Sequence, residues 1–238
     1  MVIAMLQEKL ELLLNKYEVA SDAKISADGR SVQISGEVYP LLSHRFERRF
    51  VELRRMLHDG TVSGVSAIRC GNVGTAEKSL DELILRELDI CRFLSGREIV
   101  SIAAFGRDGR AENLIAVLDN DVVCSIEVAN TLPAGANCAQ TIDKHEVISA
   151  RGLVCDRVVD TQIPQNSIYL YADESIAYTD VDFELYGLDA DKAASVRAAF
   201  ALAKDESLRE SSLSDMETLR NLLSCAAKSA ADGRKVTI

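Results

Sequence analysis

The sequence has no hydrophobic run long enough to span a membrane. Its longest early apolar stretch, Val2-Ile3-Ala4-Met5-Leu6, is followed at once by Gln7, Glu8 and Lys9. That is far short of the ~20 residues a spanning helix needs, and too short for a secretory leader. No two of the six cysteines (Cys70, Cys91, Cys124, Cys138, Cys155 and Cys225) form a C-x-x-C pair, which excludes a zinc knuckle or a dithiol redox motif of that kind. Several fall on apolar positions of predicted elements, where a thiol is a small hydrophobe, so reduced cysteines in a cytoplasmic protein are expected. No G-x-G-x-x-G follows a strand and no G-x-x-x-x-G-K-[ST] occurs. A pyrophosphate cradle is therefore not predicted, and Gly71-Asn72-Val73-Gly74 is expected to be a plain loop. The three histidines, His44, His58 and His145, stand far apart with no ligand spacing, so no metal site is predicted. No G-x-S-x-G elbow marks a nucleophile. Positive charge is also scarce: Lys+Arg 27 against Asp+Glu 37 gives −10, which argues against nucleic acid as a partner.

The composition of the 238 residues, 47% hydrophobic and 27% charged, is that of a globular chain with a core large enough to need no disulfide or metal. Leu6, Leu10, Leu13 and Leu14 predict a helix over 3–17. Ile25 and Val32–Ile34 flank Asp28-Gly29, a hairpin turn, and Pro40 closes that strand. Leu42, Phe46, Phe50, Leu53 and Leu57 predict a helix over 41–58, with Gly60 just past its end. A strand over 62–70 and a strong helix over 78–94, stopped by Gly96, come next. Strands are predicted near 98–105, 112–119, 121–129, 141–149, 152–159, 167–172 and 176–185. Their connectors, Asp108-Gly109, Asn120-Asp121, Arg151-Gly152 and Asp173-Glu174, suit antiparallel hairpins. Two helices, 188–204 and 215–231, close the chain. The second is predicted to start at a Ser214–Glu217 capping box and to stop at Gly233 before a short edge strand, Lys235–Ile238. Leu114, Ala116 and Leu118 alternate with Ile115 and Val117, so the sheet is apolar on both faces. Helices on one face and a second copy of the chain on the other are the expected covers. The order of elements spells α+β.

Two charged constellations stand out. Arg45, Arg48, Arg49, Arg54 and Arg55 share one helix with Glu47 and Glu52, which predicts a solvated, salt-bridged face. Glu82, Arg86 and Asp89 recur at i, i+4 and i+7, so they share a stripe of the 78–94 helix. That stripe is either a surface ion-pair ladder, worth a few tenths of a kcal/mol per pair, or a ligand-facing set.

Three segments resemble the substrate domain of the glucose–fructose oxidoreductase/inositol dehydrogenase (Gfo/Idh/MocA) family. They are the turn Gly60-Thr61-Val62-Ser63-Gly64-Val65, the run from Glu87 to Phe105, and the ending Ser229-Ala230-Ala231-Asp232-Gly233-Arg234-Lys235-Val236, similar to the family's closing S-A-x-x-G-R-x-V. The resemblance covers roughly 33–238. It implies a large, predominantly antiparallel open sheet with helices on one face, as in the C-terminal domains of dihydrodipicolinate reductase and glyceraldehyde-phosphate dehydrogenase, and an oligomer interface on the other. It also implies a division at 38/39: a helix and hairpin over 1–38, where a nucleotide-binding domain would end, then the substrate-like domain over 39–238.

The family transfers hydride between a sugar or polyol and NAD(P), using a histidine in a D-x-G-x-H-x-x-D segment. Here the matching positions have Ile84 for the glycine and Arg86 for the histidine, with only Asp89 unchanged. A guanidinium with a pKa above about 12 cannot shuttle protons near neutrality, and a nucleotide domain of ~130 residues beside a substrate domain of ~200 does not fit in this length. The resemblance therefore implies a non-catalytic, oligomerising protein, with no cofactor in this chain, that binds a small sugar-like or anionic ligand. Glu82, Arg86 and Asp89 would face the ligand, with Tyr39 and His145 beside them by analogy of position. The alternatives are one half of a split oxidoreductase, with NAD(P) on a separate Rossmann-domain protein, and a truncated gene product.

Overall fold

A computed structural model of the chain describes residues 2–107, 109–134, 141–156, 167–171, 175–179, 184–185 and 187–238. Their order is α1 (Val2–Lys16), β1 (Lys24–Ile25), β2 (Ser31–Ile34), β3 (Glu37–Pro40), a 3-10 turn (Ser43–Phe46), α2 (Arg48–His58), β4 (Val65–Thr75) and α3 (Leu80–Ser95). The strands β5 (Ile99–Arg107), β6 (Ala111–Leu118), β7 (Val123–Leu132), β8 (Ile142–Ser149), β9 (Gly152–Cys155), β10 (Ser167–Tyr171) and β11 (Ser175–Thr179) follow. The chain ends with α4 (Ala190–Lys204), α5 (Glu206–Asp232) and β12 (Val236–Thr237). Two compact units form, Met1–Val51 with Val181–Thr218, and Glu52–Asp180 with Leu219–Ile238. The units do not follow a 38/39 boundary, because the N-terminal helix finds its packing partner some 180 residues away along the chain.

In the first unit Leu6, Leu10, Leu13 and Leu14 bury one face of α1 against Val196, Ala199 and Leu202 of α4 and Val32 and Ile34 of β2. The helical spacing of these leucines is what lets one stripe go inward. The β1–β2–β3 sheet is antiparallel, and its second turn, at Ser35-Gly36, has both residues at positive φ (53° and 88°), as a two-residue hairpin turn of matching twist requires. The 41–58 segment is not one helix. Glu47 is extended (φ −68°, ψ 128°) between the 3-10 turn and α2.

The second unit holds a nine-stranded sheet in the order β11-β10-β9-β8-β4-β7-β6-β5-β12. Every pairing is antiparallel except β4 with β7, which run parallel. α3 packs on β4 and β7; it begins at Ser79, whose side chain accepts from Glu82 N–H, and ends at Gly96 in the left-handed conformation. Two local expectations are corrected. Gly71-Asn72-Val73-Gly74 lies inside β4 rather than in a loop, because the strand pairs on both sides there. Ser214–Glu217 lies within α5, which starts at Glu206 instead of a capping box. Ser211 and Ser212 satisfy their hydroxyls locally, on Asp215 Oδ2 and the Arg209 carbonyl, and so do not interrupt the helix.

On the covered face Leu114, Ala116, Leu118, Cys124, Ile126 and Val147 are fully buried, whereas Ile115, Val123, Ile142 and Phe105 on the opposite face are exposed. Cys70, Cys91, Cys124 and Cys155 are free and buried, and Cys225 is free and half-buried; Cys138, residues 157–159 of the strand expected over 152–159, Asp108 and Asp173-Glu174 lie outside the described residues. Among the described residues no helix is long and apolar enough to cross a membrane.

Candidate functional site

Charged side chains from α3 and β8 converge over the β4–β8 pair. Register builds the floor: Cys70 of β4 stands opposite His145 of β8, and Asn72 opposite Asp143. Residues two apart share a face of a strand, so Cys70 and Asn72, like Asp143 and His145, point to the same side. The β8–β9 hairpin pairs Glu146 with Cys155, which brings Asp156 beside His145. From above, Arg86 and Glu87 descend from the second turn of α3.

His145 is fully buried. Its Nδ1 lies 2.7 Å from Asp156 Oδ2 and its Nε2 lies 2.8 Å from Glu87 Oε2; its backbone N–H also donates to Asp156 Oδ1 at 2.7 Å. Burial alone would push the imidazole down, but Asp156 and then Glu87 overcome it and hold its pKa well above 6.5. Glu87 accepts from Asn72 Nδ2 at 2.8 Å and from Arg86 Nη1 at 2.6 Å. Burial would raise its carboxyl; the Arg86 guanidinium, followed by His145, holds it instead at about 2. Arg86 also meets Asp143 through both terminal nitrogens, at 3.0 and 3.2 Å. Asp143, a third exposed, is the outer end of the network, while Glu87 and Asp156 are sealed.

Of the five residues expected to face a ligand, Arg86 and His145 are brought together, joined through Glu87 and Asp143. Asp89 is fully buried and pairs instead with Arg92, which also holds Glu98. Glu82 sits at the start of α3, half-buried, with its N–H on the Ser79 cap. Tyr39 belongs to the first unit, where it is buried and its hydroxyl meets Glu37. A simple i, i+4, i+7 ladder is therefore not what α3 carries. Glu87, Asp143, Asp156 and Asn72 were not legible as site residues. The usable signal was the Arg151-Gly152 turn, because a hairpin centred there sets His145 beside Asp156. Around α2 the expected solvated face is only partly formed: Arg55 holds Glu52 and Asp59 at the surface, whereas Arg49 and Glu47 make a buried pair, Arg45 reaches Asp215, and Arg54 lies over the Phe93 ring at 4.6 Å.

Gly71 and Gly74 lie mid-strand, so they form no strand-to-helix phosphate turn, and these residues do not fit a dinucleotide pyrophosphate.

No family model and no curated protein sequence matches the chain. Solved structures do. An inositol dehydrogenase homolog from Azotobacter vinelandii, complexed with NADH and myo-inositol, superposes with a TM-score of 0.62 at 11% identity, over 83% of this chain and 63% of its own. Scyllo-inositol dehydrogenase from Lactobacillus casei, with NAD(H) and scyllo-inositol bound, gives 0.60 at 12% identity over 82% and 63%. An oxidoreductase from Agrobacterium radiobacter, in complex with NAD+, L-tartaric acid and magnesium, gives 0.63 at 13% over 82% and 63%. The chain thus spans under two thirds of the length of these proteins, and over most of its own length it has the fold of Gfo/Idh/MocA-type dehydrogenases.

Proposed function

We propose that this chain is a binding and assembly protein on a dehydrogenase substrate-domain fold. It takes a small, neutral polyhydroxylated ligand at the Arg86–Asp143 mouth and does not itself transfer hydride. The carrying observation is the bidentate Arg86–Asp143 contact at the exposed end of an otherwise buried network. A guanidinium and a carboxylate side by side offer a donor fork and an acceptor, which suits vicinal hydroxyls. Glu87, Asp143 and Asp156 are three carboxylates against two cationic side chains, Arg86 and His145, so a further anion is disfavoured and a neutral polyol preferred. His145 is wedged between two buried carboxylates, a setting that suits structure better than proton exchange with a substrate. Calorimetric titration with myo-inositol, gluconate and NADH tests this. Binding of the polyol that is lost in Arg86→Met supports it; micromolar NADH affinity of the chain alone, or no polyol binding, overturns it.

The exposed Ile115, Val123, Ile142 and Phe105 support self-association through the open sheet face. Ile115→Lys is expected to convert an oligomer to monomer in sedimentation velocity, and a wild-type monomer removes that part of the proposal. A second reading, a substrate subunit that borrows NAD(P) from a Rossmann-domain partner, is favoured by one observation: the matched proteins hold NAD(H), and the chain spans only 63% of their length. Co-purification of a stand-alone Rossmann-domain protein with the native chain would select it.

A further inference from the structure

Behind the Arg86–Asp143 mouth, three side chains of different chemistry point at one spot. The Cys70 thiol, a Glu87 carboxylate oxygen and a His145 ring nitrogen all lie within 4.8 Å of one another, and all three residues are buried. They come from β4, α3 and β8, so no spacing in the sequence reveals them. We propose that this cluster is a site for a divalent transition-metal ion, zinc by its donor set, with Cys70 Sγ, Glu87 Oε2 and His145 Nε2 as protein ligands.

Three features support it. Asp156 engages the other ring nitrogen at 2.7 Å and the His145 backbone N–H as well. A carboxylate on the far nitrogen is the arrangement that orients metal-bound imidazoles and raises their basicity. It leaves Nε2 facing Glu87 Oε2, 2.8 Å away, a contact that a proton bridges in the metal-free protein and that a metal ion would bridge in its place. Charge is the second feature. Glu87, Asp143 and Asp156 are three carboxylates against two cationic side chains, Arg86 and His145, so the cluster carries an excess of negative charge that a divalent ion can balance. The third is the donor set: thiolate, imidazole and carboxylate together select zinc over magnesium or calcium, which prefer oxygen alone.

Bond lengths of about 2.0–2.3 Å place tetrahedral zinc ligands roughly 3.3–3.6 Å apart. The Glu87–His145 contact has only to open by about half an ångström. Asp143 Oδ1, 3.8 Å from His145 Nε2, is in reach of the fourth position and, a third exposed, lies on the solvent side.

The test uses the full chain, stripped with chelator and reloaded with Zn2+ or Co2+. Equilibrium dialysis is expected to show one ion per chain, and the Co2+ form a thiolate-to-cobalt charge-transfer band. Cys70→Ala, a small change in a packed site, is expected to remove the band and weaken metal affinity at least tenfold, while Cys225→Ala keeps both. His145→Gln is a second variant. Should it fail to fold, the Cys70→Ala comparison alone decides. Substoichiometric metal, or a band that survives Cys70→Ala, would show that a proton alone bridges Glu87 and His145 and would overturn the proposal.

Discussion

Arg86→Met, measured on chelator-treated protein, separates a surface ladder from a buried network. Arg86 is about four-fifths buried and pairs with Glu87, which is wholly so, at 2.6 Å. Removing one partner of a buried ion pair costs about 3–5 kcal/mol, because the remaining charge is stranded. Glu87 keeps Asn72 and His145, so about 3 kcal/mol, the lower end, is expected from urea unfolding followed by circular dichroism. Asp143, more exposed, should couple to Arg86 by only about 0.5–1 kcal/mol in a double-mutant cycle with Asp143→Asn. The acid limb gives an independent reading. Glu87 is held at about 2 in the folded chain against an ordinary 4.5. Its folded value is depressed, so the associated stability is complete above pH 4.5 and is lost as pH falls toward 2. In Arg86→Met the acid transition should begin at higher pH. A loss below about 0.5 kcal/mol with an unmoved acid limb would refute the buried-network reasoning and return Arg86 to the value of an exposed pair.

Three further substitutions probe the frame around the site. Glu112 Oε1 is buried without a hydrogen-bond partner among the described residues, and burial, then Asp81, raises its carboxyl. A raised folded value favours the fold at low pH and is a liability at pH 7. Glu112→Gln should therefore stabilise by about 0.5 kcal/mol at neutrality after allowance for solvent screening, with no gain below pH 4.5. Gly96 has φ +64°, and a Cβ there would stand 2.9 Å from His58 Cε1. Gly96→Ala should cost about 1–2 kcal/mol, part of it recovered by His58→Ala; equal losses in both backgrounds would exclude the clash. Ser229 Oγ accepts from the buried Ala104 N–H at 2.9 Å and donates to the Arg234 carbonyl at 2.6 Å. Ser229→Ala should cost about 1–3 kcal/mol by leaving that amide unsatisfied. Thermal melts within experimental error of wild type would show that water replaces it.

The closing S-A-x-x-G-R-x-V run shows how local sequence and fold meet. Gly233 ends α5 with φ +64°, Ser229 ties the helix end to β5, and Val236 pairs with Ile102 at the sheet edge. Such features are set by neighbours in the chain, which is why the helices, their glycine stops, the hairpin order and the α+β class were legible. Period and turn chemistry are local properties. Local order also misled: α5 continued through Ser214–Glu217, because helix propensity does not say where tertiary packing lets a helix begin.

By itself the sequence determined most of the elements and the mainly antiparallel run of strands. Only the tertiary structure decided which charges meet. Glu87 lies between Arg86 and the core residue Leu88, and only the packing of α3 on the sheet brings it onto His145. Cys70 reaches the same point through strand register, and β4 pairs in parallel with β7 over a separation of more than fifty residues. Such contacts depend on register and crossing geometry, which sum over the whole core, so no short window of residues encodes them.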